Sequence, residues 1–364
     1  MFKKITLVAP RCYLYSGGIE RVIRETSKIL IQKGYDIRIY STALSFSLLG
    51  SHKINNIEMK NYLAFAPFHA YYIPSPLMMI DLLKETDTIL HIHGVHDITA
   101  LAGYCKKSNK LVVSPYYHGK GHSRFANTLW VPYRPLVKRI LFEADAIIVN
   151  SNAQKVLLLR DFRIPVQKLY LVYDGVDLEG IKNVKPYEID DKIILYVGRL
   201  ERYKNVHLGI FALKYLPLEY KYVLIGQGPY ANKLKEITVN NNLQDRVIFL
   251  SYQPDYIVWR WLKTASVFIH LSEVESFGMT CIEALAAGTP VVANDDGLGL
   301  RETIFLYPNQ ILTYKVNSEP ISDLAKKIIQ ASEMKPINAD VSIFSWERIA
   351  ERLDYIYSKV LLSQ

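Results

Sequence analysis

Apolar and polar positions along this chain follow one repeating order. A short run of aliphatic and β-branched residues leads into a loop, and apolar residues spaced three and four apart follow. The short runs predict buried strands at 5–9, 37–40, 89–92, 111–114, 147–150 and 169–172, then at 193–197, 222–225, 247–250, 267–270 and 290–293. The spaced stretches predict helices, as in Val22, Thr26, Ile29 and Leu30, or in Val206, Ile210 and Leu213. Met279, Ile282, Ala286 and Ala287 form a further stripe, stopped by Gly288 and Pro290. Alternation of strand and helix through both halves predicts an α/β chain of doubly wound, Rossmann-like sheets. Ser345-Trp346-Glu-Arg-Ile-Ala opens a last amphipathic helix.

Length turns this pattern into two domains, because 364 residues exceed what one core usually supports. The polar, aperiodic stretch at 177–192 places the boundary: a first domain at 1–178, a linker at 179–189 and a second domain at 190–344. No apolar run approaches the roughly 18–20 residues of a membrane span. The start, Met1-Phe-Lys-Lys, leads into an apolar stretch too short for a signal peptide, which continues as a strand. Cys12, Cys105 and Cys281 are too few and too far apart for a disulfide framework or a zinc site, which predicts a reducing, cytoplasmic location. A net charge of +9 favours an anionic acceptor or membrane surface, or serves solubility alone.

Candidate chemistry concentrates in the second half. Glu275 and Glu283 bracket the Phe277-Gly278 turn, and Ser276 and Gly278 stand where a helix start presents free N–H groups to an anion. The two carboxylates suit sugar or ribose hydroxyls better than phosphates. Taken alone, they fit a loop charge and a solvated helix residue better than a site. Upstream, the strand at 193–197 ends in Gly198-Arg199-Leu200, with Lys204 soon after. That puts two cations at the carboxyl edge of a sheet, where open α/β sheets bind ligands. Arg grips a phosphate through paired hydrogen bonds, and Lys adds a mobile point charge.

In the first half, Gly17-Gly18 precede a helix and permit close backbone approach to a phosphate. They are not part of Gly-x-Gly-x-x-Gly, and Gly226-Gln-Gly228-Pro229 lacks the third glycine, which disfavours a nicotinamide enzyme. His91, His93 and His96 follow one predicted strand and His118 another, with His93 and His118 expected toward a ligand and His91 toward the core. His93, His96 and Asp97 lack a further ligand at a familiar spacing, so no metal site is expected.

These motifs resemble the retaining glycosyltransferases of family 4. The matching residues are Gly198-Arg199-Leu200 with Lys204, Gly226-Gln-Gly228-Pro229, and Glu275 to Glu283 running on into Ala284-Leu-Ala-Ala-Gly288-Thr-Pro-Val-Val292. Gly297-Leu-Gly299-Leu-Arg-Glu302 and Gly17-Gly18-Ile-Glu20-Arg21 extend the resemblance nearly end to end, with its more specific part in the second half. It implies the GT-B fold: two Rossmann-like doubly wound domains facing across a cleft, with the last helix, about 345–364, crossing back to the first. The first domain would take the acceptor and the second the nucleotide-sugar donor.

By the same resemblance, Arg199 and Lys204 would bind the donor diphosphate, and Gly17, Gly18, Ser276, Phe277 and Gly278 would line the donor site. Glu283 would hold the ribose and Glu275 the transferred sugar, with His118 lying against that sugar. The implied activity is that of a hexosyltransferase-type enzyme (EC 2.4) that needs no cofactor or metal. Its donor would be a UDP- or GDP-type sugar, and its acceptor a glycan, a polysaccharide or a lipid-linked molecule. The alternative is a catalytically silent GT-B subunit supporting a partner enzyme; loss of the cations or paired acids would favour it, and all four are present. One departure is His270-Leu-Ser-Glu273, where similar proteins often carry Pro-Ser before the first acid.

For the acceptor, Lys120, Arg124, Trp130, Arg134, Lys138 and Arg139 interleave basic and aromatic residues across 120–139. That pattern fits peripheral contact at the cytoplasmic face of an anionic membrane, or a core-packing helix. The stretch 62–79, with Phe65, Phe68, Tyr71 and Tyr72, fits a second acceptor-side loop or an ordered loop. No nucleic-acid recognition module is present, and no such partner is expected.

Overall fold

The computed structural model describes residues 3–15, 17–54, 57–65, 73–107, 109–119, 124–275, 277–295, 299–334 and 339–362, with 124–127 as backbone only. The chain divides into two compact units, Met1–Gly175 with Trp346–Gln364, and Val176–Ser345.

Among the described residues the first unit holds β1 (Lys3–Ala9), β2 (Tyr35–Ala43), β3 (Gly50–Ile54), β4 (Ile57–Phe65), β5 (Ile73–Pro74), β6 (Ile89–His93), β7 (Lys110–Ser114), β8 (Ala146–Val149) and β9 (Leu169–Leu171). Their order is β3-β4-β2-β1-β6-β7-β8-β9, with β5 on β4. The central strands are parallel and in register, Ile5 lying between Ile37 and Ile89. Both of their faces are covered, so β6 and β8 are buried throughout, β8 as an unbroken apolar run and β6 with His91 and His93 among its apolar residues. The helix Trp346–Leu362 joins this unit by burying Ile349, Leu353, Ile356, Tyr357 and Val360 in the same core as Ile5, Ile37 and Ile89.

The strands at 50–65 and 73–74 are missing from the apolar pattern for a physical reason. β3 and β5 pair with β4 in antiparallel fashion at the sheet's edge, and β4 alternates buried and exposed residues rather than forming a continuous apolar run. Tyr62 to Phe65, expected as part of a loop, therefore belong to β4, and Pro76–Leu82 is helical.

The second unit carries β10 (Lys192–Val197), β11 (Tyr220–Ile225), β12 (Val247–Leu250), β13 (Val267–His270), β14 (Val291–Asn294) and β15 (Ile311–Tyr314), in the order β12-β11-β10-β13-β14-β15. All its neighbours are parallel. The chain therefore winds outward from β10 in one direction and from β13 in the other, which makes the β10–β13 edge a topological switch point. The polar stretch at 177–192 belongs to this unit. Asp177 caps a helix there, Leu178–Asn183, its carboxylate accepting from the Gly180 N–H at 2.7 Å.

Candidate functional site

The loops leaving β10 and β13 meet at the switch point through one asparagine. Arg202–Lys204 forms a single 3-10 turn, ended by Asn205 in the left-handed conformation at φ 53°, a conformation asparagine tolerates. The Asn205 amide donates to the Leu271 carbonyl at 3.1 Å and to Glu273 Oε1 at 3.0 Å, tying the first loop to the second. Lys204 thereby comes to rest against Glu275, its Nζ donating to Oε1. His270, the last residue of β13, reaches the same oxygen from Nε2 at 2.8 Å, and its Nδ1 lies 3.2 Å from the Thr280 hydroxyl. Burial alone would raise the Glu275 carboxyl. The Lys204 charge and the His270 hydrogen bond outweigh that and hold it well below the usual carboxylate range.

Two glycines shape the loops around this cluster. Gly226, at φ 151°, passes so close beneath the loop after β10 that a Cβ there would lie 1.9 Å from the Gly198 carbonyl oxygen. The Gly226-Gln-Gly228 motif thus serves as a backbone bed, on which Leu200 donates to the Gln227 carbonyl at 2.9 Å. Gly278, at φ 88°, starts the helix Met279–Ala286 in a conformation that favours glycine.

Of the expected donor residues, the structure brings Lys204 and Glu275 together. Arg199 is exposed and pairs instead with Glu201. Glu283 is 3% exposed, so it is a buried helix residue and not a solvated one. Phe277 is buried and packs its ring on Phe344 with centroids 5.5 Å apart. His270 and Thr280 were not among the residues expected at a site. The signal for His270 was a polar residue ending the apolar run 267–270. Ser276, Gly297, Lys120, Phe68, Tyr71 and Tyr72 lie outside the described residues.

In the first unit, Gly17 and Gly18 open the helix Gly18–Gln32. Its start is already faced by an acid: the Glu20 carboxylate, 3% exposed, lies where a Gly17 Cβ would be and 3.4 Å from the Arg11 guanidinium. Burial raises the Glu20 carboxyl above its ordinary value.

The histidines separate into two groups. His118 stacks on His96 with ring centroids 4.1 Å apart, and His96 in turn leans on Trp130 at 4.8 Å. His93, expected toward a ligand, is instead 4% exposed beside His91, because the last helix covers this end of β6 with Ile349 and Leu353. His91 is satisfied by the Tyr357 and Ser114 hydroxyls at 2.6 and 2.8 Å, whereas neither His93 nitrogen has a partner among the described residues. The cavity they share with Asn150 and Asp174 measures about 20 Å³, room for one water. Burial pulls the His93 imidazole down to about 3 and pushes the Asp174 carboxyl up to about 6, against a 2.8 Å hydrogen bond from the Asn150 amide.

Known proteins show related chains. The family model described as Glycosyltransferase Family 4 matches residues 16–179, and that described as Glycosyl transferases group 1 matches residues 179–342. The chain is 32% identical over 169 residues to the N-acetylgalactosamine-N,N'-diacetylbacillosaminyl-diphospho-undecaprenol 4-alpha-N-acetylgalactosaminyltransferase of Campylobacter jejuni. That match spans 46% of this chain and 46% of that enzyme, under half of either. The sucrose-phosphate synthase of Thermosynechococcus elongatus superposes with a TM-score of 0.83 at 19% identity, covering 100% of both chains. Anabaena HepE in complex with UDP and glucose superposes at 0.69 and 19% identity, covering 99% of this chain and 96% of that one.

Proposed function

Since this chain belongs to glycosyltransferase family 4 and has the GT-B fold, we propose that it is a retaining hexosyltransferase. It moves a sugar from a UDP- or GDP-type donor to a glycan, polysaccharide or lipid-linked acceptor. The observation that carries this is the Lys204–Glu275–His270 cluster at the β10–β13 switch point. It sets a cation and a carboxylate held in its charged form at the sheet edge where such folds take ligands.

As the bond from the anomeric carbon to the diphosphate breaks, its electron pair goes to the phosphate oxygen. Lys204 and Arg199 stabilise the charge that grows there, so the stabilisation is larger in the transition state than in the ground state. The two cations perform this task without a metal. The N–H groups at the start of Met279–Ala286 face the same leaving group, and Gly17 and Gly18 line the donor. Glu275 takes the hydroxyls of the transferred sugar and Glu283 the ribose. His118 lies against the sugar. The acceptor oxygen bonds to the anomeric carbon on the face the leaving group departs from, and its proton passes to the departing phosphate.

Support for a nucleotide of the UDP type comes from HepE, and for a lipid-linked acceptor from the name of the Campylobacter enzyme. A peripheral place at the cytoplasmic membrane face fits the helix Arg124–Glu143, which exposes Leu129, Val131, Leu136 and Phe142 beside Arg134, Lys138 and Arg139. Among the described residues, no helix is long and apolar enough to cross a membrane.

A thermal-shift screen with UDP, GDP, ADP and their common sugars tests the donor site. One nucleotide family is expected to raise Tm in the wild type and to do so far less in Arg199→Ala. No shift from any nucleotide at millimolar concentration would count against this function.

A further inference from the structure

Within the transfer reaction proposed above, on which this inference rests, we propose that His270 is a positioning residue, locked by Thr280, that fixes how Glu275 presents its carboxylate to the transferred sugar. Glu275 sits on a loop, and a loop carboxylate otherwise turns freely. Lys204 supplies charge, but an ammonium on a four-carbon stem is a point charge and imposes little direction. The imidazole does impose direction. His270 is 4% exposed at the end of a buried strand, with the Phe268 ring 6.0 Å away.

Its proton is assigned by its partners. A carboxylate at Nε2 can only accept, so Nε2 carries the hydrogen. In the neutral ring Nδ1 is then bare and accepts from the Thr280 hydroxyl. Thr280 belongs to the first turn of Met279–Ala286, so the carboxylate is aligned to the helix that starts at the ligand edge. Both donors converge on Oε1, and Oε2 accepts from none of the described residues, which leaves it for a sugar hydroxyl.

The test compares wild type, His270→Leu, His270→Gln and Thr280→Val, first for thermal shift by UDP and GDP, then for turnover of the matching nucleotide sugars. The Gln amide keeps a donor where Nε2 stood. The nucleotide shift is expected to stay unchanged in all three variants, because the His270 side chain contacts Glu275 and Thr280, and neither His270 nor Thr280 is assigned to the diphosphate. Turnover should fall about 100-fold in His270→Leu, with the donor KM nearly unchanged, as for a reacting group misplaced by an ångström or so. His270→Gln should recover most of the loss, and Thr280→Val should lose about 5-fold. Wild-type turnover in His270→Leu, or a His270→Gln as impaired as His270→Leu, would overturn the positioning role while the transferase function stands. A wild type that neither binds a nucleotide nor turns over any donor would overturn both.

Discussion

On the loop after β13 a mostly buried carboxylate, Glu275, is held in its charged form by an ammonium and an imidazole. Just after β9 a more deeply buried carboxyl, Asp174, has an amide as its one side-chain partner among the described residues and is pushed toward its neutral form, up to about 6. Depth alone does not decide between them, since both pay the same kind of desolvation. What differs is whether a cation shares the site. The second unit therefore keeps a standing charge at its ligand edge. The first unit has a polar cavity in which Asp174 is hydrogen-bonded but has no cation beside it among the described residues.

Removing the cation should break this contrast most strongly. Lys204→Ala leaves the Glu275 carboxylate mostly buried without its ammonium, which is expected to cost about 3 kcal/mol of stability. Turnover should fall about 1000-fold or more as the leaving diphosphate loses its stabilising charge. The double variant Lys204→Met, Glu275→Gln should regain most of the stability and none of the turnover. Denaturant midpoints beside a transfer assay separate the two effects. Unchanged stability in Lys204→Ala would mean that the ion pair does not hold Glu275 charged.

The opposite substitution sharpens the contrast from the other side. Asp174 has a folded-state pKa above its unfolded value of 3.8, so the folded protein holds this proton more tightly. Its contribution is therefore a cost that appears as pH rises from about 4 to about 6 and stays constant above that. Asp174→Asn removes the cost. The variant should be more stable than wild type by about 3 kcal/mol at pH 7.5, with the difference vanishing below pH 4. His91 and His93 titrate in both proteins, so the difference between them isolates Asp174. A difference that does not change with pH would show that Asp174 is not desolvated as the cavity requires.

Backbone placement is the next, smaller effect. Gly278→Ala forces a side chain into φ 88° and sets its Cβ 2.7 Å from Leu300 Cδ2, for about 1–2 kcal/mol in thermal or denaturant unfolding. Leu300 is itself fully buried, so the rescue is read against Leu300→Ala alone: in that background the contact is gone but not the dihedral, and Gly278→Ala should recover only part of that loss. Full recovery would mean that sterics alone, and not the left-handed turn, make glycine necessary.

The apolar runs were enough to read the central strands of both sheets, since a parallel strand covered on both faces is mostly apolar, even where buried histidines interrupt it as in β6. β3, β4 and β5 were not legible, because β4 and β5 mix buried with exposed residues and the edge strand β3 buries none, so all three resemble loops. Lys204 and Glu275 were legible as chemistry, each by its residue type at the end of a predicted strand. Their pairing was not, because it depends on Asn205 adopting a left-handed turn and bridging two loops that lie 66 residues apart. His93 shows the reverse failure. A strand-end histidine looks exposed in sequence, and only the returning helix, more than 250 residues later, buries it.

The smallest expected effect on folding falls on Arg199, and that makes it the cleanest probe of function. Its side chain is 70% exposed and its ion pair with Glu201 lies at the surface, where such pairs contribute about 0.5 kcal/mol or less. Arg199→Ala should therefore unfold within experimental error of the wild type. Its affinity for the nucleotide, measured by calorimetry, should nonetheless drop at least 10-fold, because a guanidinium grips a phosphate through two charge-assisted hydrogen bonds. Raising the salt concentration should shrink that difference, since an exposed charge is screened. A variant that binds as tightly as wild type would leave the diphosphate to Lys204 and the helix start, and would make the Arg199–Glu201 pair a surface feature of the loop.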